Sequence, residues 1–271
     1  MDNIFAVSTN TYHGFSLQEA LEGISKAGFK AVELTAVKGY TEHVDWSMND
    51  HEIDKVKEQL ASYQLEAVGL SGHSNLLTDQ GLDNFLRNID LANRLDCRYI
   101  ITATGETHED ESEMSDLAGF ISTLQDVVKK CEERGLVLAL ETHGNLFGSG
   151  ESMMELLDTL PAHSAGINYD TANVIFYGGT SPDKDLPKCV ERVVFMHLKD
   201  KAGKPREWNF PALGKGNIDF SQLFQILRDK NYHGPMSVEV EFTSEGPGSL
   251  DVVHQAVRDS YTHIQKCLKN M

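Results

Sequence analysis

The chain has 271 residues, of which 40% are hydrophobic, and a formal net charge of −17 at pH 7. This length suits one (β/α) barrel as well as two average domains. No apolar stretch reaches the roughly 18 residues of a membrane span, and the negative charge opposes partners that are bound through their phosphates. We therefore expect a soluble protein that binds neither membranes nor nucleic acids.

The N-terminus and the cysteines indicate a cytoplasmic protein. The first residues, MDNIFAVSTN, have neither the basic start nor the apolar core of a signal peptide. The four cysteines are far apart and include no CxxC pair, so they fit free thiols better than a disulfide framework. They are Cys97, Cys131, Cys189 and Cys267.

Short aliphatic or β-branched runs alternate with amphipathic stretches along the whole chain. The runs predict eight strands, at residues 4–8, 31–35, 67–70, 99–103, 136–141, 165–170, 193–198 and 236–241. The stretches between them predict helices, at residues 17–27, 54–63, 82–95, 114–133, 152–160, 183–190, 220–230 and 250–268. This alternation indicates right-handed βαβ units, and eight repeats favour a closed (β/α)8 TIM barrel, a single domain over residues 1–271. A doubly wound open sheet is the main rival, but no GxGxxG motif follows the first strand.

Polar residues end the last four predicted strands, where chemistry sits in such barrels. In LVLALETH, alternation puts Glu141 and His143 on one face of the fifth strand. The next strands end in Asp170, in His197, and in Glu239 with Glu241. Converging carboxylates repel one another unless a cation neutralises them, and oxygen ligands with one imidazole suit Mn²⁺, Mg²⁺, Co²⁺ or Zn²⁺. We predict that one divalent metal ion is bound by Glu141, Asp170, His197 and Glu239.

Each of these residues also has an ordinary structural explanation. A single Glu or Asp at a strand end is more often a helix cap or an ion-pair partner, and a single His is more often a hydrogen-bonded core residue. The combination from four consecutive strands is what favours the metal site.

Five further residues are candidates for binding substrate: His73, His143, Asn173, Lys199 and Trp208. Three of them have a competing role. His143 could instead support a metal ligand, Lys199 could pair with Asp200 or with a ligand carboxylate, and His73 could simply cap its loop. Trp208 lies in the long connection after the seventh strand, which is a candidate lid because loops of this length tend to be functional.

The segments LALETHG, NYDTAN, MHLKD, LGKGNIDF and HGPMSVEVEF, in this order, resemble the xylose isomerase-like barrel superfamily of sugar isomerases and epimerases. The resemblance covers nearly the whole chain, although the specific motifs lie in its second half. It implies the same four metal ligands and implies that Glu141 and Glu239 exchange a proton with the substrate. Glu239 rather than Glu241 matches the superfamily pattern, but strand alternation does not separate the two.

The resemblance implies a divalent-metal-dependent sugar isomerase or epimerase that acts through an enediolate. One carboxylate would remove a proton beside the sugar carbonyl, and another would return it. The chain departs from ketose 3-epimerases, which usually carry His, Arg and Glu where this chain has Asn173, Gly203 and Phe147. Their substrate specificity is therefore not transferred. Dimers and tetramers are frequent in the superfamily, so a homo-oligomer is compatible with the sequence, although no patch indicates one.

Two loops near the predicted strand ends carry further candidates. KGYTEHVDW gathers Tyr40, His43 and Trp46, which could face a sugar or anchor the loop. In LGKGNIDF, Asn217 or Asp219 could cap the next helix, and the free amides at that helix start could also receive a phosphate.

Three other functions compete with isomerisation. A lyase or dehydratase of a keto-sugar or keto-inositol would use the same ion and the same bases. An endonuclease IV-like phosphodiesterase would require a larger His-rich cluster and a basic groove, which the charge opposes. A non-catalytic sugar-binding barrel would have no need for two flanking carboxylates.

Overall fold

The structure, a computed structural model, describes residues 2–104 and 116–271, and in these parts eight parallel strands close into a barrel. The barrel strands are β1 (Phe5–Ser8), β2 (Ala31–Thr35), β3 (Glu66–Ser71), β4 (Tyr99–Thr102), β5 (Val137–Glu141), β6 (Ala165–Asp170), β7 (Val193–Leu198) and β9 (Met236–Val238). Each strand pairs with the next, and β9 pairs with β1 to close the ring. The predicted (β/α)8 barrel is confirmed.

Helices follow the barrel strands on the outside. They are α1 (Leu17–Ala27), α2 (Asp50–Ser62), α3 (Asp79–Arg94), α4 (Leu117–Glu133), α5 (Gly150–Leu157), α6 (Asn173–Phe176), α7 (Pro182–Cys189), α8 (Phe220–Asp229) and α9 (Leu250–Lys269), with 3₁₀ turns at Thr9–Tyr12 and Val190–Arg192. Helix α1 shows the local signals well, because Ser16 and Glu19 form a capping box and Gly28 ends the helix with a φ of 107°.

Several helix starts differ from the predicted ones because the first turn is polar and carries no apolar period. Helix α2 begins four residues early, at Asp50, behind the Asn49 cap, and α3 begins behind the Thr78 cap. The predicted start of α4 at Met114 lies outside the described residues, and the described helix begins at Leu117 with Asp116 as its N-cap.

The last predicted strand, residues 236–241, is wrong at its end. Barrel strand β9 stops at Val238, and the chain then turns so that β10 (Phe242–Thr243) pairs antiparallel with β8 (Asn209–Phe210). This small second sheet lies in the long connection after β7 and holds it beside the end of β9. Alternation along one strand does not reveal a pairing with a segment about 30 residues away.

The barrel interior has an apolar layer beneath a charged layer. The apolar layer consists of Ala6, Ala31, Val68, Ile101, Ala139 and Phe195, all buried. Two residues further along their strands, on the same face, stand Glu33, Glu141 and His197. The outer core, between strands and helices, is a larger and continuous apolar cluster. The charged groups of the interior therefore lie at the carboxyl end of the barrel strands.

The four cysteines are buried free thiols. None of the helices in the described parts of the chain combines the length and the apolar character needed to cross a membrane.

Candidate metal centre and active site

Four side chains from consecutive barrel strands meet at the carboxyl end of the barrel. Glu141 ends β5, Asp170 ends β6, His197 lies in β7, and Glu239 directly follows β9. Each offers one ligand atom, and these atoms all lie within 4.8 Å of one another. All four residues are buried. The structure thus brings together the four predicted metal ligands, with Glu239 and not Glu241 in the cluster.

The imidazole of His197 is oriented by a carboxylate from the opposite half of the barrel. Its Nε2 lies 3.0 Å from both carboxylate oxygens of Glu33, which is completely buried. Its Nδ1 makes no hydrogen bond and lies 3.5 Å from Glu141 Oε2 and from Glu239 Oε2. A carboxylate on one ring nitrogen fixes the tautomer that leaves the other nitrogen as a ligand.

Asp170, like His197, is fixed by hydrogen bonds to only one of its two ligand-capable atoms. Its Oδ1 accepts hydrogen bonds of 2.8 Å from the backbone amides of Ala172 and Asn173. Its Oδ2 is buried, makes no hydrogen bond and lies 3.3 Å from Lys199 Nζ and 3.8 Å from His197 Nδ1. One oxygen is therefore used by the fold, and the other faces the cluster.

Each of the two glutamates receives an asparagine amide on one oxygen. Asn173 Nδ2 donates to Glu141 Oε1 at 2.8 Å, and Asn10 Nδ2 donates to Glu239 Oε1 at 3.1 Å. Their Oε2 atoms face the cluster, where His73 Nε2 lies 2.8 Å from Glu141 Oε2. The other ring nitrogen of His73, Nδ1, lies 2.8 Å from the Ser71 hydroxyl. His73 therefore links its own loop to Glu141, and does more than cap the loop.

Lys199 places a buried ammonium group beside the cluster. Its Nζ lies 3.0 Å from Glu239 Oε2 and 2.7 Å from Glu241 Oε2, besides its contact with Asp170. The sequence allowed Lys199 two possible ion-pair partners, a ligand carboxylate or Asp200. The pairing with ligand carboxylates is present. The pairing with Asp200 is not: that carboxylate accepts only backbone amides, from Lys201, Gly214, Gly216 and Ile218, at 2.8–3.2 Å.

The contacts of Asp200 also decide the reading of LGKGNIDF. The amides of Gly214, Gly216 and Ile218 are occupied by this internal carboxylate, and Asp219 caps α8 by accepting from Gln222 N. A Cβ on Gly216 would lie 2.3 Å from Asp200 Oδ1, so glycine is required for the close approach. The segment therefore folds around the Asp200 carboxylate, and Asp219 rather than Asn217 caps α8; a phosphate at the start of that helix stays a prediction.

Burial and charge together set the protonation of the cluster. Burial raises the pKa of the Asp170 carboxyl to about 6 despite the opposing charge of Lys199. Burial also acts on Glu141, but the charges of His73 and His197 outweigh it and hold the pKa of Glu141 well below its ordinary value. For His197, burial lowers the pKa, but the charges of Glu33 and Glu239 outweigh burial and raise it well above its ordinary value. The field that stabilises a cationic imidazole would also attract a divalent cation.

The residues fit a divalent metal ion. Two buried ligand atoms, Asp170 Oδ2 and His197 Nδ1, have no hydrogen-bond partner, and buried polar atoms of this kind require an explanation. Three carboxylate oxygens and one imidazole nitrogen form a donor set of the kind used by Mn²⁺, Mg²⁺, Co²⁺ or Zn²⁺. Glu141, Asp170, His197 and Glu239 are the residues that would hold the ion.

A cavity of about 700 Å³ opens above the cluster. All five predicted substrate residues line it, together with both proposed bases: His73, His143, Asn173, Lys199, Trp208, Glu141 and Glu239. Strand β5 ends at Glu141, so a bridge between His143 and Phe147, rather than strand alternation, positions His143, whose ring lies 4.5 Å from that of Tyr177. Substrate binding by these side chains stays a prediction.

The loop after β2 has two roles. Tyr40 lines the cavity. His43 and Trp46 anchor the loop, because His43 Nε2 contacts the Phe15 carbonyl at 2.9 Å and the Trp46 ring lies 4.5 Å from the Arg87 guanidinium.

Sequence reasoning missed Glu33 and Asn10. Glu33 stands in the middle of the apolar run AVELT, and a carboxylate inside a buried strand is the same signal that identified Glu141. Asn10 lies in the 3₁₀ turn after β1, and its pattern has no distinguishing feature.

The comparisons with known proteins assign the family. The model of the xylose isomerase-like TIM barrel family matches residues 21–266. The chain belongs to this family, and the resemblance seen in the sequence motifs is confirmed.

Individual relatives are distant. Inosose dehydratase of Clostridium perfringens (strain 13 / Type A) is 29% identical over 147 residues, which is 48% of this chain and 48% of that protein. This match spans about half the length of the relative. Inosose isomerase of Halalkalibacterium halodurans is 22% identical over 256 residues, covering 85% of this chain and 84% of that protein. The crystal structure of the IolI protein with a bound zinc atom has a TM-score of 0.80 over 98% of both chains at 16% identity.

Proposed function

We propose that the protein is a divalent-metal-dependent isomerase or epimerase of a sugar or sugar derivative. The observation that carries this proposal is the convergence of two glutamates on one point of the cavity wall. Glu141 Oε2 and Glu239 Oε2 each lie 3.5 Å from His197 Nδ1, and both residues line the cavity. Two carboxylates beside one substrate position are what removal and return of a proton require.

The fixed side chains suggest the division of work. One glutamate removes the proton beside the carbonyl of the substrate, which becomes an enediolate, and the other returns a proton to the opposite face or to the neighbouring carbon. Asn10 and Asn173 keep the two carboxylates in place, and Lys199 can donate a hydrogen bond to a substrate oxygen. A bound divalent ion supplies Lewis-acid polarisation of the substrate oxygens. The zinc atom in the related IolI structure supports a metal in this barrel family.

A dehydratase is the second candidate, supported by the similarity to inosose dehydratase. It would begin with the same proton removal and then expel a β-hydroxyl group as water, leaving a carbon–carbon double bond. Inosose isomerase shows the competing outcome at a similar level of similarity. The two reactions differ only after the first proton transfer, so the shared bases support both.

The deciding experiment is a screen of ketoses, aldoses and keto-inositols with the metal-supplemented protein in D₂O, followed by NMR. Deuterium at the carbon beside the carbonyl, with an isomer or epimer as product, supports the main proposal. Loss of water with an unsaturated product assigns the dehydratase. No exchange with any of these compounds would overturn both.

A further inference from the structure

A second cavity of about 340 Å³ lies beside the first. The two share four wall residues, Asn10, Tyr40, Trp208 and Glu241. These side chains stand where the two cavities adjoin, so the cavities are immediate neighbours with a common wall.

The shared wall adjoins one of the proposed bases. Asn10 Nδ2 lies 3.1 Å from Glu239 Oε1 and 3.5 Å from Glu241 Oε1. The second cavity therefore begins one side chain away from Glu239. A substituent on a sugar carbon near Glu239 would reach this space only by passing Asn10 and Glu241.

The two adjoining cavities together are larger than one monosaccharide needs. Pockets of about 300–1,000 Å³ accommodate drug-sized molecules, and the first cavity alone falls within this range. A hexose is smaller than such a molecule. The second cavity adds room for another ring.

The walls of the second cavity combine aromatic faces with hydroxyl groups. Tyr40 is 52% exposed, and its ring stacks on that of His13 at 4.2 Å. Trp208 is fixed edge-on against Phe210 at 5.0 Å. Thr243 and Ser244 also line the space and offer hydroxyl groups. Aromatic rings that present an apolar face beside polar groups suit the C–H faces and hydroxyl groups of a sugar ring.

The wall of the second cavity does not favour an anionic occupant, because the described wall residues include neither Lys nor Arg. Glu241 is the only carboxylate among the described wall residues, and its partner Lys199 lies on the side of the cluster. The wall also contains Phe242, whose φ of 60° is unusual for a bulky residue. Conformations of this kind persist where surrounding structure enforces them, and they concentrate at ligand sites.

We propose that the second cavity is a subsite for a second, uncharged sugar ring, so that the substrate is a glycosylated keto-sugar rather than a free monosaccharide. That the ring bound in the first cavity is the reacting keto-sugar rests on the proposed function. The subsite itself is a matter of binding and is tested without turnover.

Titration calorimetry on the metal-supplemented protein provides the test. The probes are D-fructose and three glucosyl-fructoses that differ in linkage: turanose, maltulose and isomaltulose. We expect at least one disaccharide to bind about tenfold more tightly than D-fructose, since aromatic faces add contacts to the second ring. Ser244→Trp fills the second cavity and should reduce this ratio to about one. Glu245→Trp, a change at the next residue, which is outside the wall, is the matched control and should keep the ratio.

Two results would overturn the subsite: no disaccharide binds more tightly than D-fructose, or the preference is the same in Ser244→Trp as in Glu245→Trp. Deuterium exchange, measured in parallel, tests the proposed function separately. A disaccharide preference without any exchange supports the subsite and overturns the isomerase. Exchange on free ketoses without a preference supports the isomerase and overturns the subsite.

Discussion

The two halves of the barrel rim contribute different parts of the candidate site. The barrel strands β5, β6 and β7 and the residue after β9 supply the four residues of the cluster, whereas the segments from β1 to the loop after β3 supply groups that contact three of them. Glu33 holds His197, Asn10 holds Glu239, and His73 contacts Glu141. The comparison teaches that the recognisable motifs mark the ligands, while part of the orientation of three of those ligands depends on a half of the chain without motifs.

The largest effect is expected from the two proposed bases of the second half. Glu141→Gln and Glu239→Gln keep the side-chain size but remove the basic oxygen, so each should lower solvent-deuterium exchange into substrate by about 10²–10⁴-fold. NMR in D₂O measures the exchange, and the exposed Glu245→Gln is the control. Retained exchange in both variants would refute the assignment of the bases.

Removing a ligand should abolish metal binding. Asp170→Asn removes one negative charge from the cluster, at the side chain whose Oδ2 faces His197. Elemental analysis after dialysis should therefore find about one divalent ion per chain in the wild type and far less in the variant. Added Mn²⁺ should raise the Tm of the wild type only, because an ion that binds the folded state stabilises it. The exposed Asp229→Asn serves as control, and equal metal content in Asp170→Asn would contradict the cluster as a metal site.

A smaller effect is expected from the first half of the rim. Glu33→Gln leaves all four cluster residues in place but removes the carboxylate behind His197, so metal affinity should fall by about 10–100-fold. Competition with a metal indicator measures the affinity. Glu66→Gln, on an exposed position at the start of β3, is the matched control. An unchanged affinity in Glu33→Gln would show that the two halves act independently.

The smallest effect is expected at Asn10. Asn10→Ala removes the amide that holds Glu239 Oε1, and loss of a hydrogen bond to a charged group corresponds to roughly tenfold in rate. We expect the loss in kcat, with KM nearly unchanged, because the amide positions a base. Steady-state kinetics, with Asn270→Ala as the control variant, measures kcat and KM separately. A change confined to KM would assign Asn10 to substrate binding instead.

Local pattern could predict the fold and the strand ends that form the cluster, whereas the choice of Glu239 over Glu241 depended on the resemblance to the superfamily. Asp170 and His197 end apolar runs that are easily recognised as strands, and barrel geometry brings strand ends together. The pairing of Asn10 with Glu239 joins residues 229 positions apart, which alternation along a strand does not reveal. The same limit explains the misplaced end of β9, where the chain turns away to pair with Phe210.

The carboxylate of Asp200 divides the long connection after β7 into segments with different tolerance to change. It holds Lys201 at one end and Gly214, Gly216 and Ile218 at the other. The exposed turn at residues 203–207 lies between these anchors, next to Trp208 on the cavity wall. A change in the length of this turn should therefore alter the shape of the cavity mouth, while the contacts of Asp200 keep the rest of the connection in place.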